Sequence, residues 1–183
     1  MISKKNILVA PLNWGIGHPT RCIPIINKLI DLDFNPIIAS DGEALQLLQK
    51  EFPKLKSIEL PSYNIKYPKN GVFLKWKLIF NTPRFLKTIK REEKCVEKLI
   101  ESENLFGIIS DNRFGVRSDK IPSVFITHQL NVLSGKTTFL SSKIHQKIIN
   151  KFNECWIPDV NTENSLTKKL THSNKVKRSK KEN

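Results

Sequence analysis

Short apolar runs alternate along the chain with longer segments of helical spacing. The first run, NILVAPL at Asn6–Leu12, is typical of a buried parallel strand. From Pro19 to Leu32, apolar residues recur every three or four positions, which predicts an amphipathic helix. Further strands are predicted at Pro36–Ser40, Leu55–Leu60, Phe106–Ser110, Ile121–Thr127 and Glu154–Asp159. Further helices are predicted at Gly42–Glu51, with Asp41 as its cap, and at Lys143–Phe152.

A basic and aromatic helical stretch, VFLKWKLIFN at 72–81, comes before Pro83, which should break or kink it. Beyond Pro83, one helical stripe is formed by Phe85, Ile89, Val96 and Leu99.

This alternation of strands and helices predicts the fold class, because βαβ units build parallel sheets. We predict an α/β fold with a doubly wound, mostly parallel, Rossmann-like sheet in one domain over residues 1–160. Residues 161–183 are expected to be the start of a linker and a basic, disordered tail, since Val176 is the only apolar residue from Thr171 onward.

The charge distribution adds candidate partners to this picture. The chain has 183 residues and a formal net charge of +14, and 12 of those excess charges lie in residues 61–100 and 161–183. Such segments suit nucleic acid, an anionic membrane surface or an anionic substrate, and solvated lysine-rich faces are the plain alternative. Because no nucleic-acid-binding motif accompanies the charge, we expect no nucleic acid partner.

The three cysteines are widely spaced, and no apolar run is long enough for a signal peptide or a membrane span. These features favour a reduced, cytoplasmic setting, with peripheral contact to the inner face of the membrane as an open alternative.

Polar clusters follow three of the predicted strands, in NWGIGHPTR, SDNRFG and THQLN. In an open parallel sheet, ligands bind beyond the carboxyl ends of the strands, so these clusters predict one shared site. Plain structural roles stay open: a bare turn for GIGHPTR, a capped turn for Asp111, and packing beneath the loops for His128. The candidate residues are Gly15, Gly17, His18, Thr20, Arg21, Asp111, Asn112, Arg113, Thr127, His128 and Gln129.

The loop GIGHPTR has its own predicted chemistry. Gly15 and Gly17 permit a tight turn and a close approach of backbone to ligand. If the helix begins at Pro19, free N–H groups at Thr20, Arg21 and Cys22 favour an anion or a hydroxyl oxygen. The loop is neither a dinucleotide fingerprint, since Thr20 stands where a third glycine is needed, nor a P-loop, since no GK[ST] follows.

Taken in order, GIGHPTR, SDNRFG, PSVFITHQL and CWIPD resemble the amino-terminal domain of predicted bacterial glycosyltransferases of the MurG type. The resemblance runs from about Ile7 to His172. It implies one half of the two-domain GT-B architecture and a nucleotide-sugar-dependent, inverting, metal-independent transferase. The implied partners are a nucleotide-sugar donor, as co-substrate rather than cofactor, and a hydroxyl-bearing acceptor that could be lipid-linked.

The resemblance also implies roles for two residues. In related transferases a histidine after the first strand is the general base toward the acceptor hydroxyl, and an aspartate after a later strand orients it. His18 and Asp111 match those positions, and a neutral imidazole held by a carboxylate suits such a base near pH 7.

We also expect a departure from the GT-B pattern, in which no carboxyl-terminal donor domain accompanies this chain. We therefore expect a truncated or split enzyme that is weakly active or inactive alone, with a carboxyl-terminal partner domain as one route to activity. The competing hypothesis is a non-catalytic α/β module that docks on an anionic membrane surface or a partner chain.

Overall fold

The computed structural model describes residues 4–64, 83–127 and 145–158. Six strands lie in these ranges: β1 Asn6–Pro11, β2 Asn35–Ser40, β3 Ser57–Glu59, β4 Leu105–Asp111, β5 Ser123–Ile126 and β6 Glu154–Trp156. Three longer helices are α1 Gly17–Asp31, α2 Gly42–Glu51 and α3 Pro83–Ser102, and a short helix spans 145–149. The predicted stretch at 72–81, His128, Gln129 and the predicted tail lie outside the described residues.

The six strands form one sheet in the order β3-β2-β1-β4-β5-β6, and every pairing is parallel. The strand order reverses between β1 and β4, which makes their carboxyl ends the switch point of the sheet. There, Pro11 pairs with Asp111, and Asp111 pairs with Ile126. The predicted Rossmann-like α/β class is confirmed.

Apolar side chains cover both faces of the sheet, because successive residues of a strand point to opposite sides. Ile7 and Val9 belong to a buried cluster with residues of α1 and α2. Leu8 and Ala10 belong to a second cluster that includes Val96 of α3. The sheet is therefore buried between helices on its two faces, which is why its strands read as continuous apolar runs.

One predicted helix start and one predicted helix cap need correction. Helix α1 begins at Gly17 rather than Pro19, and the backbone N–H of Thr20 already donates to the Ile16 carbonyl at 3.1 Å. The predicted anion site on free N–H groups at Thr20, Arg21 and Cys22 is therefore wrong, because these groups lie beyond the first turn.

Helix α2 has the predicted bounds, but the Asp41 side chain makes no capping hydrogen bond. The Asn13 Oδ1 atom accepts from the Ala44 N–H at 3.3 Å instead. An N–H group in the first turn of α2 thus has its hydrogen-bond acceptor in the loop after β1. The Asp41 carboxylate is therefore available to bind other residues.

Candidate active site at the carboxyl ends of β1 and β4

The sheet register brings the loop after β1 against the end of β4. The Leu12 N–H donates to the Asp111 carbonyl at 2.8 Å, extending the pairing beyond β1. Gly15 has φ of 72°, so the tight turn predicted for it is present. The chain then enters α1, whose first turn carries His18 toward Asp111. The His18 Nδ1 atom lies 2.9 Å from the Asp111 Oδ1 atom, and both side chains are buried.

Arg21 also binds Asp111, through two nitrogens of its guanidinium. The Nε atom donates to Oδ2 at 2.5 Å, and the Nη2 atom donates to Oδ1 at 2.8 Å. Nη2 also lies 2.5 Å from the His18 Nδ1 atom. A two-pronged arginine–carboxylate pair fixes the plane of the carboxylate as well as its charge. Histidine, aspartate and arginine therefore form one compact triad at the switch point.

The position of the proton on His18 determines what the triad can do. With the proton on Nδ1, the imidazole donates to Asp111 and keeps a lone pair on Nε2 for accepting a proton. With the proton on Nε2, the Nδ1 lone pair faces an Asp111 oxygen, and Arg21 becomes its donor. The first arrangement is the one that a general base requires.

Cys22 completes the surroundings of Asp111 as a neutral group. Its sulfur lies 3.9 Å from the Asp111 Oδ2 atom. Burial raises the pKa of the Cys22 thiol well above its ordinary value of 9.0, and the neighbouring Asp111 carboxylate raises it further. The thiol therefore stays protonated at neutral pH and is a poor nucleophile.

Arg113 does not reach the site that was predicted for it. Its side chain is completely buried, and its Nε atom donates to the Glu92 Oε1 atom at 2.7 Å. The Nη1 atom donates to the Asp41 Oδ1 atom at 2.6 Å, and the Nη2 atom donates to the Pro61 carbonyl at 2.7 Å. With all three nitrogens bound by protein acceptors, Arg113 ties the strand-end loops together, and this placement leaves no nitrogen to contact a substrate.

Glu92 and Tyr63 are the members of this buried network that the sequence reasoning missed. Glu92 also accepts from the Tyr63 hydroxyl and from the Gly115 N–H, the latter at 3.0 Å. We call Asp41, Tyr63, Glu92 and Arg113 the Arg113 cluster. A signal was available: Glu92 stands three residues after Ile89 and four before Val96, within the apolar stripe of α3. A carboxylate on a buried helix face requires a buried partner.

Burial shifts the proton equilibria of the Arg113 cluster. It raises the pKa of Glu92 above its ordinary value of 4.5, although the Arg113 guanidinium opposes this shift. Burial and the Glu92 charge raise the pKa of Tyr63 well above its ordinary value of 10.0. For Arg113, burial acts to lower the pKa, but Glu92 and Asp41 outweigh it and raise the value. The tyrosine therefore remains a hydrogen-bond donor at neutral pH.

The remaining predicted site residues lie in different environments. Gly17 has no atom within 4 Å of the position that a Cβ would occupy, so space is open beside it. The Thr20 hydroxyl donates to the Ile16 carbonyl at 2.6 Å. Asn112 adopts φ of 58°, and its amide lies 3.4 Å from the Asp111 Oδ1 atom. Thr127 is fully buried, and its backbone N–H donates to the Trp156 carbonyl at 3.1 Å.

The described residues offer neither a cluster of metal ligands nor a membrane-spanning helix. Among residues 4–64, 83–127 and 145–158, no group of three or more His, Cys, Asp and Glu side chains is arranged to hold a metal ion. Within the same ranges, none of the helices has the length and apolar character needed to cross a membrane.

Known proteins resemble this chain in structure but not in sequence. No protein family model and no curated protein matches it. Phytolacca americana UGT2, complexed with UDP-2fluoro-glucose and pterostilbene, matches with a TM-score of 0.62 at 14% identity, over 97% of this chain and 53% of that one. Acinetobacter baumannii MurG matches with a TM-score of 0.53 at 13% identity, over 96% of this chain and 44% of that one. A putative UDP-N-acetylglucosamine 2-epimerase from Listeria monocytogenes matches with a TM-score of 0.51 at 10% identity, over 86% of this chain and 39% of that one.

At such low sequence identities the structural matches show the fold alone, and the reaction has to be argued from the residues of the site. The chain spans about half the length of the first two solved structures. It has the Rossmann-like α/β fold that occurs in glycosyltransferases of the GT-B architecture, as the sequence resemblance predicted.

Proposed function

We propose that the chain is the acceptor-binding half of a nucleotide-sugar-dependent glycosyltransferase, which acts on a hydroxyl acceptor with inversion and without a metal. The observation that carries the proposal is the contact between His18 and Asp111 at the switch point of the sheet. Ligands of open α/β sheets bind in this crevice. The contact also pairs a histidine with a carboxylate that can orient it.

In the proposed reaction, the acceptor hydroxyl attacks the anomeric carbon of the sugar. The new bond joins that carbon to the acceptor oxygen, and the bond to the nucleotide diphosphate breaks with its electron pair leaving on the phosphate. The hydroxyl proton goes to the Nε2 atom of His18, whose Nδ1–H remains on Asp111. One displacement from the side opposite the leaving group inverts the anomeric centre.

The region around α1 has room for the acceptor. The open space at Gly17 allows a ligand to approach the backbone closely, and the preceding Ile16 is 69% exposed. An exposed isoleucine beside a proposed base suits an acceptor with an apolar part, which agrees with the expectation of a lipid-linked acceptor. The UGT2 complex supports both proposed ligand classes, because it contains a UDP-sugar analogue and pterostilbene.

The donor is proposed to bind mainly to a second α/β domain, since this chain spans only 53% and 44% of the first two solved structures. The chain alone should then show weak or no transfer. A chimera that joins it to the other half of Acinetobacter baumannii MurG supplies the missing contacts in a controlled way.

The test incubates the chain and the chimera with UDP-glucose or UDP-N-acetylglucosamine and hydroxyl acceptors, including pterostilbene and a polyprenol phosphate sugar. UDP release and the mass of the product are measured. Product from the chimera that is lost in His18→Gln and Asp111→Asn, but kept in the surface control Asp33→Asn, supports the proposal. Turnover by the chain alone contradicts the half-enzyme part, and product that survives His18→Gln contradicts the general-base part.

A second candidate, a non-catalytic module that docks on an anionic membrane, is favoured by the outer face of α3. Five exposed cations follow its start, and Leu86 among them is 50% exposed. These cations are Arg84, Lys87, Lys90, Arg91 and Lys94. Basic residues beside an exposed apolar side chain suit the surface of an anionic bilayer. Sedimentation with anionic vesicles distinguishes this candidate.

A further inference from the structure

We propose that Asn13 is a positioning residue that fastens the loop before α1 to the start of α2 and so holds His18 in place. Asn13 is the first residue of the polar cluster NWGIGHPTR. Its side-chain amide binds residues at the start of α2 and acts on His18 only through the loop between them. The inference rests on the proposed function, because the placement of His18 matters for the reaction only if His18 accepts the proton.

The Asn13 amide makes two hydrogen bonds with the turn that leads into α2. Its Oδ1 atom accepts from the Ala44 N–H at 3.3 Å, and its Nδ2 atom donates to the Asp41 Oδ2 atom at 3.3 Å. Ala44 lies in the first turn of α2, where the usual acceptor is the side chain of the residue that precedes the helix. Here the acceptor comes from the loop after β1, so the bond that caps α2 also ties two loops of the sheet together.

Gly42 leaves the space that the amide occupies. Its φ is 52°, and a Cβ at this position would overlap the Asn13 Nδ2 atom and lie 3.2 Å from the Asn13 Cγ atom. The amide also rests on a fixed support, since the other oxygen of Asp41 accepts from the completely buried Arg113 at 2.6 Å. The Arg113 cluster therefore holds the carboxylate to which the loop is fastened.

The loop depends on this contact because its middle faces solvent. Ile16 and the glycines on either side of it are exposed, while Trp14 packs against an apolar cluster that includes residues of α3. Apolar contacts are non-directional, whereas hydrogen bonds have a defined geometry. The Asn13 amide therefore sets the direction in which the chain enters α1, whose first turn carries His18.

NMR relaxation of the full chain tests this inference without any substrate. The order parameters of the backbone N–H groups at positions 14–18 are measured, since values of about 0.85 indicate rigid backbone and values below about 0.6 indicate flexible backbone. We expect rigid values in the wild type and flexible values in Asn13→Ala.

The matched control is Asn6→Ala, at the opposite end of β1. It also removes a half-buried amide with two hydrogen bonds, one to the Glu103 carbonyl at 2.5 Å and one from the Asn35 amide at 2.7 Å. Positions 14–18 should stay rigid in this control.

Gly42→Ala perturbs the same contact from the side of α2. Its methyl group should displace the Asn13 amide and make the loop flexible, although Asn13 itself is unchanged. In the double variant with Asn13→Ala, the methyl group has no amide to displace and should add no further flexibility. An equal loss of order from Gly42→Ala in both backgrounds would overturn the inference, because the strained backbone at Gly42 would then be the cause. If Asn13→Ala does not fold, a rigid loop in Gly42→Ala overturns the inference.

The MurG chimera measures the consequence for the reaction. Because the donor is proposed to bind the other half, Asn13→Ala should lower kcat about tenfold or more and leave the KM for the donor within about twofold of the wild type. Unchanged order parameters, an unchanged kcat, or an equal fall of kcat in Asn6→Ala overturns the inference. Product that survives His18→Gln, or no product at all, counts against the proposed function, while the order parameters still decide whether Asn13 holds the loop.

Discussion

At the residue scale, two arginines in the described part of the chain pair with buried carboxylates, and Arg113 also holds Asp41. Asp111 pairs with Arg21, which is partly exposed, whereas Glu92 pairs with Arg113, which is fully buried. The difference in burial separates their functions. A partly exposed arginine beside a histidine can take part in the chemistry of a site. A completely buried arginine–carboxylate pair instead helps to hold the surrounding loops in one arrangement.

Removing Arg113 should therefore be costly. Arg113→Met leaves Glu92 and Asp41 buried without their cation, and we expect a loss of about 3–5 kcal/mol in the free energy of unfolding. The matched control is Lys56→Met, which breaks the pair of the half-exposed Lys56 with Glu103 and should cost about 0–1 kcal/mol. Urea unfolding followed by circular dichroism measures both. Equal losses in the two variants would show that the Arg113 cluster does not stabilise the fold.

The raised pKa of Glu92 predicts a pH dependence of stability. Because the folded state holds the Glu92 proton more tightly than the unfolded state, protonation favours folding, and this contribution is lost as pH rises above 4.5 toward the raised value. The free energy of unfolding of the wild type relative to Glu92→Gln should therefore fall across that window. Urea unfolding of both proteins at pH 4, 5, 6 and 7 gives the difference. A difference that rises with pH would mean that Arg113 lowers the pKa of Glu92 more than burial raises it.

The sequence placed His18 and Asp111 among the candidates because both follow predicted strands, and the family resemblance singled out these two. It did not locate the partners of Arg113. SDNRFG places four polar residues in a row, and only the backbone turn at Asn112, with φ of 58°, directs Arg113 into the interior. Its partner Asp41 lies 72 positions away in the chain, so no local pattern connects the two residues.

At the element scale, helix α3 and the loop after β4 are in unusually close contact at Gly115. A Cβ at this position would lie 2.3 Å from the Ile89 carbonyl oxygen and 2.7 Å from the Glu92 Cβ atom. The absence of a side chain lets the loop backbone reach Glu92, to which the Gly115 N–H donates. Through this contact α3 packs against the loop that follows β4, and Asp111 is the last residue of that strand.

Gly115→Ala should therefore destabilise the fold. Because the obstructing atoms belong to backbone and to a buried side chain, we expect a loss of about 1–3 kcal/mol in the free energy of unfolding. Gly17→Ala is the matched control, since its new methyl group meets nothing within 4 Å and should change stability by less than about 0.5 kcal/mol. Thermal melting compares the two proteins. Similar melting temperatures would show that the loop moves aside at little cost.

Element boundaries were predicted best where patterns were continuous. Asn6–Pro11 and Gly42–Glu51 agree with their apolar runs and helical spacing. The start of α1 was predicted two residues too late, because Pro19 is favourable at the first helical position but is also tolerated throughout the first turn. This small shift matters chemically, since it gives the Thr20 N–H a partner within the helix.

At the scale of the whole molecule, the alternation of strands and helices predicted the class but not the order of the sheet. The placement of β4 beside β1 brings Asp111 opposite Pro11, and this register creates the triad. The order of strands in a sheet depends on which edge of the growing sheet each new strand joins and on the right-handed hand of the crossovers. A single sequence does not show these choices, and they can be inferred only by analogy with a known fold. The resemblance to GT-B glycosyltransferases implied the fold, with which the structural matches agree, and the strand order is known from the structure.

The overall charge of +14 leads to the last prediction, which concerns vesicle binding. If the outer face of α3 docks on an anionic bilayer, replacing Lys87, Lys90, Arg91 and Lys94 with glutamine should weaken binding about a hundredfold or more, since each basic residue near the surface contributes about 1 kcal/mol. The matched control replaces four other exposed lysines and lowers the net charge equally. These are Lys28, Lys50, Lys54 and Lys120.

Binding of both variants is measured by sedimentation with phosphatidylserine vesicles at low ionic strength and at about 0.15 M salt. The two conditions are compared because salt screens the attraction between the basic residues and the anionic lipids, and its range falls to about 8 Å at the higher concentration. Loss of binding in the α3 variant alone would assign docking to that face. Equal losses in both variants would mean that net charge attracts the chain without a defined surface. Failure of the wild type to bind at either salt concentration would remove the membrane-docking candidate.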